Sequence, residues 1–499
     1  MARGSGIATN ALLPGTFHHD ASGIDYRVFL RGGAAWMTYS RPASAPQGAL
    51  SGEQQLLYYI GSGHRGRTYL FQQDGQWFEL PINFYTRRNA WAMAPAFDDA
   101  TSMPAPLPVD PNCLHCHATG VQPNLATARS RFTDIPFHQG GIGCSSCHGD
   151  PTLHLATRGR GPIVNPTKLS PTRRDSSCIQ CHLEGNAVVY RPGRTLAQFK
   201  PGDDLSNFAI YFVHPQDDSN GRRATSQYEA LLRSACKRAS GDKLTCTSCH
   251  DPHYDPSPAE RVQYFRSRCL QCHTSPAMAT HHSEQPDCAK CHMPTRSTTD
   301  ISHEQVTDHD IEAHPIDRIS LHHLSASSDE LIPVGGFPAG DREYGLAYAQ
   351  EAMKGDRHAA ELALNYLTKA SLAGASDPEL NVRLGYLQQI NGDIAKARAS
   401  YFAVLNVDPY DPAALANLAV IDATSNQLPD AIHLLERLTS DDPTQTSAGL
   451  NLAYIDCELG RTEQAHNLLR QLLQSNPDDP QLRDYITTGN YAGHRCLVP

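Results

Sequence analysis

Cys246-Thr-Ser-Cys249-His250-Asp251-Pro252-His253 is the stretch on which the reading of this chain turns. Two thiols stand three residues apart, an imidazole follows the second at once, and another imidazole comes three residues later. The Cys-x-x-Cys-His pattern occurs five more times: Cys113-Leu-His-Cys116-His117, Cys144-Ser-Ser-Cys147-His148, Cys178-Ile-Gln-Cys181-His182, Cys269-Leu-Gln-Cys272-His273 and Cys288-Ala-Lys-Cys291-His292. Twelve of the 15 cysteines are thereby accounted for. The spacing reads as covalent attachment of haem c. Two thiols add across the two vinyl groups of one porphyrin, so they must lie a fixed short distance apart. The adjacent imidazole then falls over the same face and becomes the proximal iron ligand. Six motifs imply six haems c, with iron held by His117, His148, His182, His250, His273 and His292.

Two other chemistries compete for these residues. The run from Cys246 to Cys291 has gaps between its pairs close to zinc-ribbon spacing, and any single Cys-x-x-Cys suits a redox dithiol. Neither accounts for a histidine directly after all six second cysteines.

Histidine supply is the second signal. Of 25 histidines, six are proximal and 15 of the remaining 19 lie before residue 326. A low-spin electron-transfer haem takes a second axial ligand, and these are its candidates: His18, His19, His64, His115, His138, His154, His214, His253, His281, His282, His303, His309, His314, His322 and His323. A histidine a few residues beyond its own motif lies on the proximal side and cannot reach over its own ring, but it can reach a neighbouring haem. His253 and His154 fit that role, and His138, six residues before Cys144, serves likewise. Such shared segments would clip successive haems into a continuous electron path. The distal set expected is His64, His138, His154, His253, His282 and His309.

Composition organises the rest. Residues 1–105 hold short β-branched and aromatic runs (Tyr26-Arg-Val-Phe-Leu, Leu56-Leu-Tyr-Tyr-Ile, Arg67-Thr-Tyr-Leu-Phe), which read as strands. Asp74-Gly75 between Phe71 and Trp77 is a type I′ hairpin turn. Their aromatics serve a small sheet core or line a haem pocket. Residues 106–325 show weak periodicity and many Pro, Gly and polar loops, as expected where porphyrins supply the apolar core. Beyond a linker at 326–340 the chain repeats every 34 residues: Leu384, Leu418 and Leu452; Ala397, Ala431 and Ala465; Tyr401, Leu435 and Leu469; Pro409, Pro443 and Pro477. Small residues where two helices touch, bulky ones between them and a closing proline form the tetratricopeptide pattern.

The fold class expected is therefore α+β. A small β-rich N-terminal segment (1–105) precedes a loop-rich multihaem cytochrome c region (106–325), the linker (326–340), an all-α tetratricopeptide superhelix (341–480) and a C-terminal tail (481–499). The net charge of −10 falls within 341–480, which holds 20 acids and 10 bases, while the remainder is neutral. A nucleic-acid partner is not expected, and a basic partner for the repeats is an expectation. No apolar stretch reaches the roughly 18–20 residues of a membrane-spanning helix. Cys457 reads as a small buried apolar residue in a repeat helix, while Cys236 and Cys496 are free or paired.

The order of these pieces resembles cytochrome c554-like multihaem c-type cytochromes fused to tetratricopeptide repeats. The resemblance lies in Ile60-Gly-Ser-Gly-His64-Arg-Gly-Arg-Thr-Tyr-Leu, Leu80-Pro-Ile-Asn-Phe-Tyr, Ile142-Gly-Cys-Ser-Ser-Cys-His-Gly, Ile163-Val-Asn-Pro-Thr-Lys-Leu-Ser-Pro, Leu244-Thr-Cys-Thr-Ser-Cys-His-Asp-Pro-His253, Cys288-Ala-Lys-Cys-His-Met-Pro and Thr307-Asp-His309. It implies a periplasmic or otherwise exported electron carrier and supports His64, His138, His154, His253 and His309 as haem histidines. The resemblance implies a start with a signal peptide and a further haem motif. Met1 to Gly15 offers only the short apolar run Ala11-Leu-Leu, so the expectation is either a mature form with its signal removed or a Met1 internal to a longer protein that held a signal and a seventh haem site.

The function expected is electron relay through six haems, without bond chemistry, with redox partner proteins docked through the repeats. The alternative is a multihaem oxidoreductase acting on small nitrogen compounds, of the nitrite or hydroxylamine type, at one open haem. No Cys-x-x-Cys-Lys site, used by some such enzymes, is present.

Overall fold

The hairpin at Asp74-Gly75 forms as its sequence requires. Both residues take left-handed backbone angles, φ 51° and 77°, which a type I′ turn demands, and Gln73 faces Gln76 across it. The structure, a computed structural model, describes residues 4–62, 65–95, 97–124, 130–214, 223–274, 286–298, 305–311, 330–491 and 494–495. Its contacts fall into two units, one spanning Gly143–Glu351 and the other joining Ala2–Ile142 to Ala352–Pro499.

In the second of these units, Gly15–His19, Ile24–Arg31, Ala34–Arg41 and Leu50–Leu56 form an antiparallel meander. Burial alternates along it: Ile24, Tyr26 and Val28 are buried, Asp25 and Arg27 exposed, the period of a half-buried strand. A second sheet contains Tyr58–Gly61, Gly66–Gln73 and Gln76–Tyr85, flanked by short strands. Both of its faces are used. Tyr69, Phe71, Phe78, Leu80, Ile82 and Trp91 join the main sheet core. Ile60, Leu70 and Trp77 face the other way, onto Leu114, Ala118 and Phe137 around the first Cys-x-x-Cys-His motif.

The repeat helices run Arg357–Leu372, Pro378–Ile390, Ile394–Leu405, Pro412–Thr424, Leu428–Asp441, Thr446–Glu458, Thr462–Ser475 and Pro480–Thr488. Asp377, Asp411 and Asp479 each cap a helix that opens with proline, accepting backbone N–H groups two or three residues ahead. That pairing satisfies the orphan donors of a first turn. The repeat positions named above are the core: Ala397, Ala431, Ala465, Tyr401 and Leu469 have no exposed surface. Gly385 is needed where the helices touch, since a Cβ there would meet the Tyr401 ring at 2.8 Å.

The acidic excess of the repeats has a use within the chain. It is concentrated in residues 412–480, with 10 acids and 3 bases, against 7 and 6 in 352–411. Asp478 is buried and receives Arg41 Nη1 at 2.8 Å, the Met103 amide at 2.7 Å and Arg483 Nη1 at 2.7 Å. Asp441 pairs with Arg131 at 3.1 Å, and Asp442 accepts from the Gln76 amide. The basic groups that meet the acidic repeats thus include Arg41 from the N-terminal segment and Arg131 from the region that follows it. Cys457 departs from its sequence reading: it is disulfide-bonded and its sulfur accepts from the Tyr485 hydroxyl at 3.3 Å. The other described cysteines form no disulfide.

The unit Gly143–Glu351 is built differently. Its short helices Ser145–His148, Thr152–Ala156, Ala235–Ser240, Cys246–Cys249, Arg261–Cys269 and Cys288–His292 contain no buried residue. A small sheet of Ala187–Tyr190, Ala209–Val213 and Ile332–Pro333 carries buried Val189, Ile210 and Phe212.

Candidate haem sites

Helices of four to nine residues are marginal without packing partners, and the six just named bury none of their residues. Four of the six hold or adjoin a Cys-x-x-Cys-His motif. A bulky apolar body seated against them is what such a layout lacks, and covalently attached porphyrin has the required chemistry.

The first motif lies on Pro111–His117, in the unit with the sheets. Asp110 caps this helix by accepting the Asn112 amide at 2.8 Å, and Leu114 is fully buried. The hairpin Ala118–Pro123 and Phe132–Gly140 follows. His138 is on its second strand, packed against Gly120, whose φ of 69° and close approach to the ring (3.1 Å from a Cβ) exclude a side chain there.

The second motif ends at Gly149, where φ of 72° turns the chain out of the helix. The chain returns so that Val164 donates its amide to the His148 carbonyl and accepts His148 Nδ1 at 2.8 Å. A carbonyl oxygen only accepts, so Nδ1 carries the proton and Nε2 keeps its lone pair. His154 Nδ1 meets the Gly161 carbonyl at 3.0 Å, His309 Nδ1 the Thr307 carbonyl at 3.0 Å and His214 Nδ1 the Glu330 carbonyl at 3.3 Å. His182, at the end of helix Pro171–His182, sets Nδ1 on the Gln227 side-chain oxygen at 3.1 Å. This is the outer-shell arrangement that orients metal-binding imidazoles.

Two histidine pairs have the separation of ligands on one ion. The rings of His148 and His253 are 5.9 Å apart, centre to centre, with planes 10° from parallel. His250 and His309 are 6.1 Å apart at 28°. A ligating imidazole nitrogen sits about 2 Å from its metal, and its ring centre lies about 1 Å further, so two rings on opposite sides of one iron are separated by roughly 6 Å. Asp251 shapes the segment between the two pairs by accepting the His253 amide at 2.9 Å. His250 is open to solvent yet crowded by protein, as a group lining a cleft is. That crowding, with the rings of His309 and His182 beside it, pushes its pKa down to about 4.

The remaining thiols also cluster. Cys178 of the third motif lies beside Cys246 of the fourth, and Cys269 of the fifth beside Cys288 of the sixth. Among the described residues, no three or more His, Cys, Asp and Glu side chains are arranged to hold a metal ion by themselves.

Other sequence candidates divide. His19 is committed at both nitrogens, to the Ser22 hydroxyl at 2.8 Å and the Asp98 carbonyl at 2.9 Å. His18 faces Asp25 and Asp20. Neither stands ready for iron. His64, His281, His282, His303, His314, His322 and His323 lie outside the described residues. Sequence reasoning missed the orienting groups Val164, Gly161, Thr307 and Gln227. Three of these act through backbone carbonyls, which no side-chain pattern announces.

Known proteins match in pieces. The family described as cytochrome c554 and c-prime matches residues 88–149, around the first two motifs. The doubled CXXCH motif matches 238–278, around the fourth and fifth, and the tetratricopeptide repeat matches 423–485. No curated protein matches the chain. Solved structures similar in part include a tetratricopeptide repeat protein from Parabacteroides merdae ATCC 43184, at 18% identity and a TM-score of 0.26 over 29% of this chain and 56% of that one. MamA from Desulfovibrio magneticus RS-1 matches at 18% and 0.27, over 30% of this chain and 82% of that one. The chain thus spans little more than half of the first of these. Three separate parts of the chain thus match family models: cytochrome c554 and c-prime, the doubled CXXCH motif and, near the C-terminal end, the tetratricopeptide repeat.

Proposed function

We propose that this chain relays electrons through six haems c. Thioethers form at Cys113 and Cys116, Cys144 and Cys147, Cys178 and Cys181, Cys246 and Cys249, Cys269 and Cys272, and Cys288 and Cys291. His117, His148, His182, His250, His273 and His292 are the proximal iron ligands. Bound haem supplies one-electron redox chemistry, and the chain tunes it through ligand identity, hydrogen bonding and burial. His253 is the distal partner of His148, and His309 of His250. His138 and His154, with His64 and His282, take further distal positions.

The observation that carries this reading is the pair of roughly 6 Å histidine couples, with Nδ1 of His148 and His309 tied to carbonyls and Nε2 left for metal. A bis-histidine iron has no position for substrate, which favours relay over the chemistry of small nitrogen compounds. The repeats dock redox partner proteins, through surfaces other than the loops held by Arg41 and Arg131.

The protein works in the periplasm or outside the cell. Haem attachment by thioethers takes place there in bacteria, and a disulfide at Cys457 suits an oxidising compartment. Among the described residues no helix is long and apolar enough to cross a membrane. Electron paramagnetic resonance of the oxidised, haem-loaded chain is the test. Low-spin signals alone agree with relay, and a high-spin ferric signal that responds to nitrite or hydroxylamine would replace it by the enzyme reading.

A further inference from the structure

Between Pro151 and Arg174 the chain carries five basic residues and no acid. Arg174 pairs with Asp175. Arg158, Arg160, Lys168 and Arg173 are exposed, and none has an ion pair among the described residues. The acid just before the segment, Asp150, is turned onto the Thr152 amide and hydroxyl at 2.9 and 2.6 Å, and the acid just after it, Asp175, is the one held by Arg174. Four positive charges therefore stand unanswered on one short segment.

That segment is part of a haem site. After Gly149 the chain makes the single turn Thr152–Ala156 and folds back, so that Gly161 and Val164 hold His154 and His148 by their carbonyls. Arg158 and Arg160 sit within this return loop, and Lys168 and Arg173 follow at Pro166–Lys168 and on the first turn of Pro171–His182, which pack together. A group of uncompensated charges of one sign beside a redox centre is the layout of a transient electron-transfer contact. Charge draws the partner in and orients it, and a small contact area lets it leave.

We propose that this face docks an acidic electron-transfer protein, which exchanges one electron at a time with the haem attached at Cys144 and Cys147. The proposal rests on the haem reading above. In the exchange, the reduced iron–sulfur or flavin centre of the partner is oxidised by one electron and the ferric haem becomes ferrous.

The test uses the full, haem-loaded chain and a reduced acidic [2Fe–2S] ferredoxin as probe, followed by stopped-flow absorbance. The second-order rate should fall steeply with added salt. In R158Q/R160Q/K168Q/R173Q it should drop by about tenfold or more at low salt, while reduction by a neutral reduced flavin keeps its rate. A ferredoxin rate indifferent to salt and to the four substitutions overturns the proposal. So does a quadruple variant with altered haem potentials or haem content, because the bases would then be holding haem propionates. Haem content, measured on the same samples by the pyridine haemochrome spectrum, separates this failure from failure of the haem reading itself.

Discussion

Replacing Asp478 by alanine should destabilise the unit that holds the first haem motif. Asp478 and Arg41 have side chains 2% and 0% exposed, so the change leaves a guanidinium buried without its counter-charge. Breaking such a pair from one side costs about 3–5 kcal/mol. Arg41 keeps the carbonyls of Ser22 at 3.1 Å and Gly48 at 2.9 Å, which argues for the lower end. The Met103 amide and Arg483 lose an acceptor as well, which adds about 1 kcal/mol. The expected loss is about 4 kcal/mol, read by urea unfolding followed by tyrosine and tryptophan fluorescence. The double variant R41M/D478L should recover to within about 1 kcal/mol of the parent, since apolar replacement of both partners removes the desolvation cost with the attraction. A single substitution costing under about 1 kcal/mol would refute the reasoning.

Three further outcomes are expected. H253A should convert only the haem at Cys144 and Cys147 to a high-spin or water-ligated form, and H309A only that at Cys246 and Cys249, each seen as one sixth of the haem absorbance; an unchanged spectrum removes that ligand. Burial pushes the Glu79 carboxyl up to about 7, so its protonated form is favoured by folding. Its contribution is complete below about pH 4.5 and lost as pH rises through 7, about 1–3 kcal/mol in all, and E79Q should flatten that slope in unfolding curves at pH 5 and 8. The fragment 352–491 should give a helical circular dichroism spectrum with a cooperative melt, because its helix-on-helix core, Leu482 and Tyr485 included, lies within it; a disordered fragment would show that it needs the N-terminal sheets.

Local chemistry was legible in the sequence. Asp74-Gly75 announced its hairpin, and the 34-residue period placed Ala397, Ala431 and Ala465 at helix contacts. What could not be read was long-range. His148 meets His253 across 105 intervening steps of chain, and only the fold decides which imidazole faces which. His253 and His154 both follow a motif closely, yet the coordinates pair His253 alone with a proximal ring among the described residues. Arg41 and Asp478 are 437 residues apart, so the acidic excess looked like a surface for some other protein when part of it was holding the chain's own sheets. Cys457 carried no mark of its disulfide, because one cysteine in an Ala- and Leu-rich helix looks the same bonded or free. Both haem pocket and sheet core claimed the N-terminal aromatics, and the two faces of one sheet serve both surroundings.

The central claim is six covalent haems, and the mass of the intact chain tests it most directly. Protein made with a cytochrome c maturation system should carry six haem additions that survive denaturation and acid–acetone extraction, with no stoichiometric zinc by elemental analysis. Four additions or fewer, or zinc bound at the cysteine pairs, would contradict it.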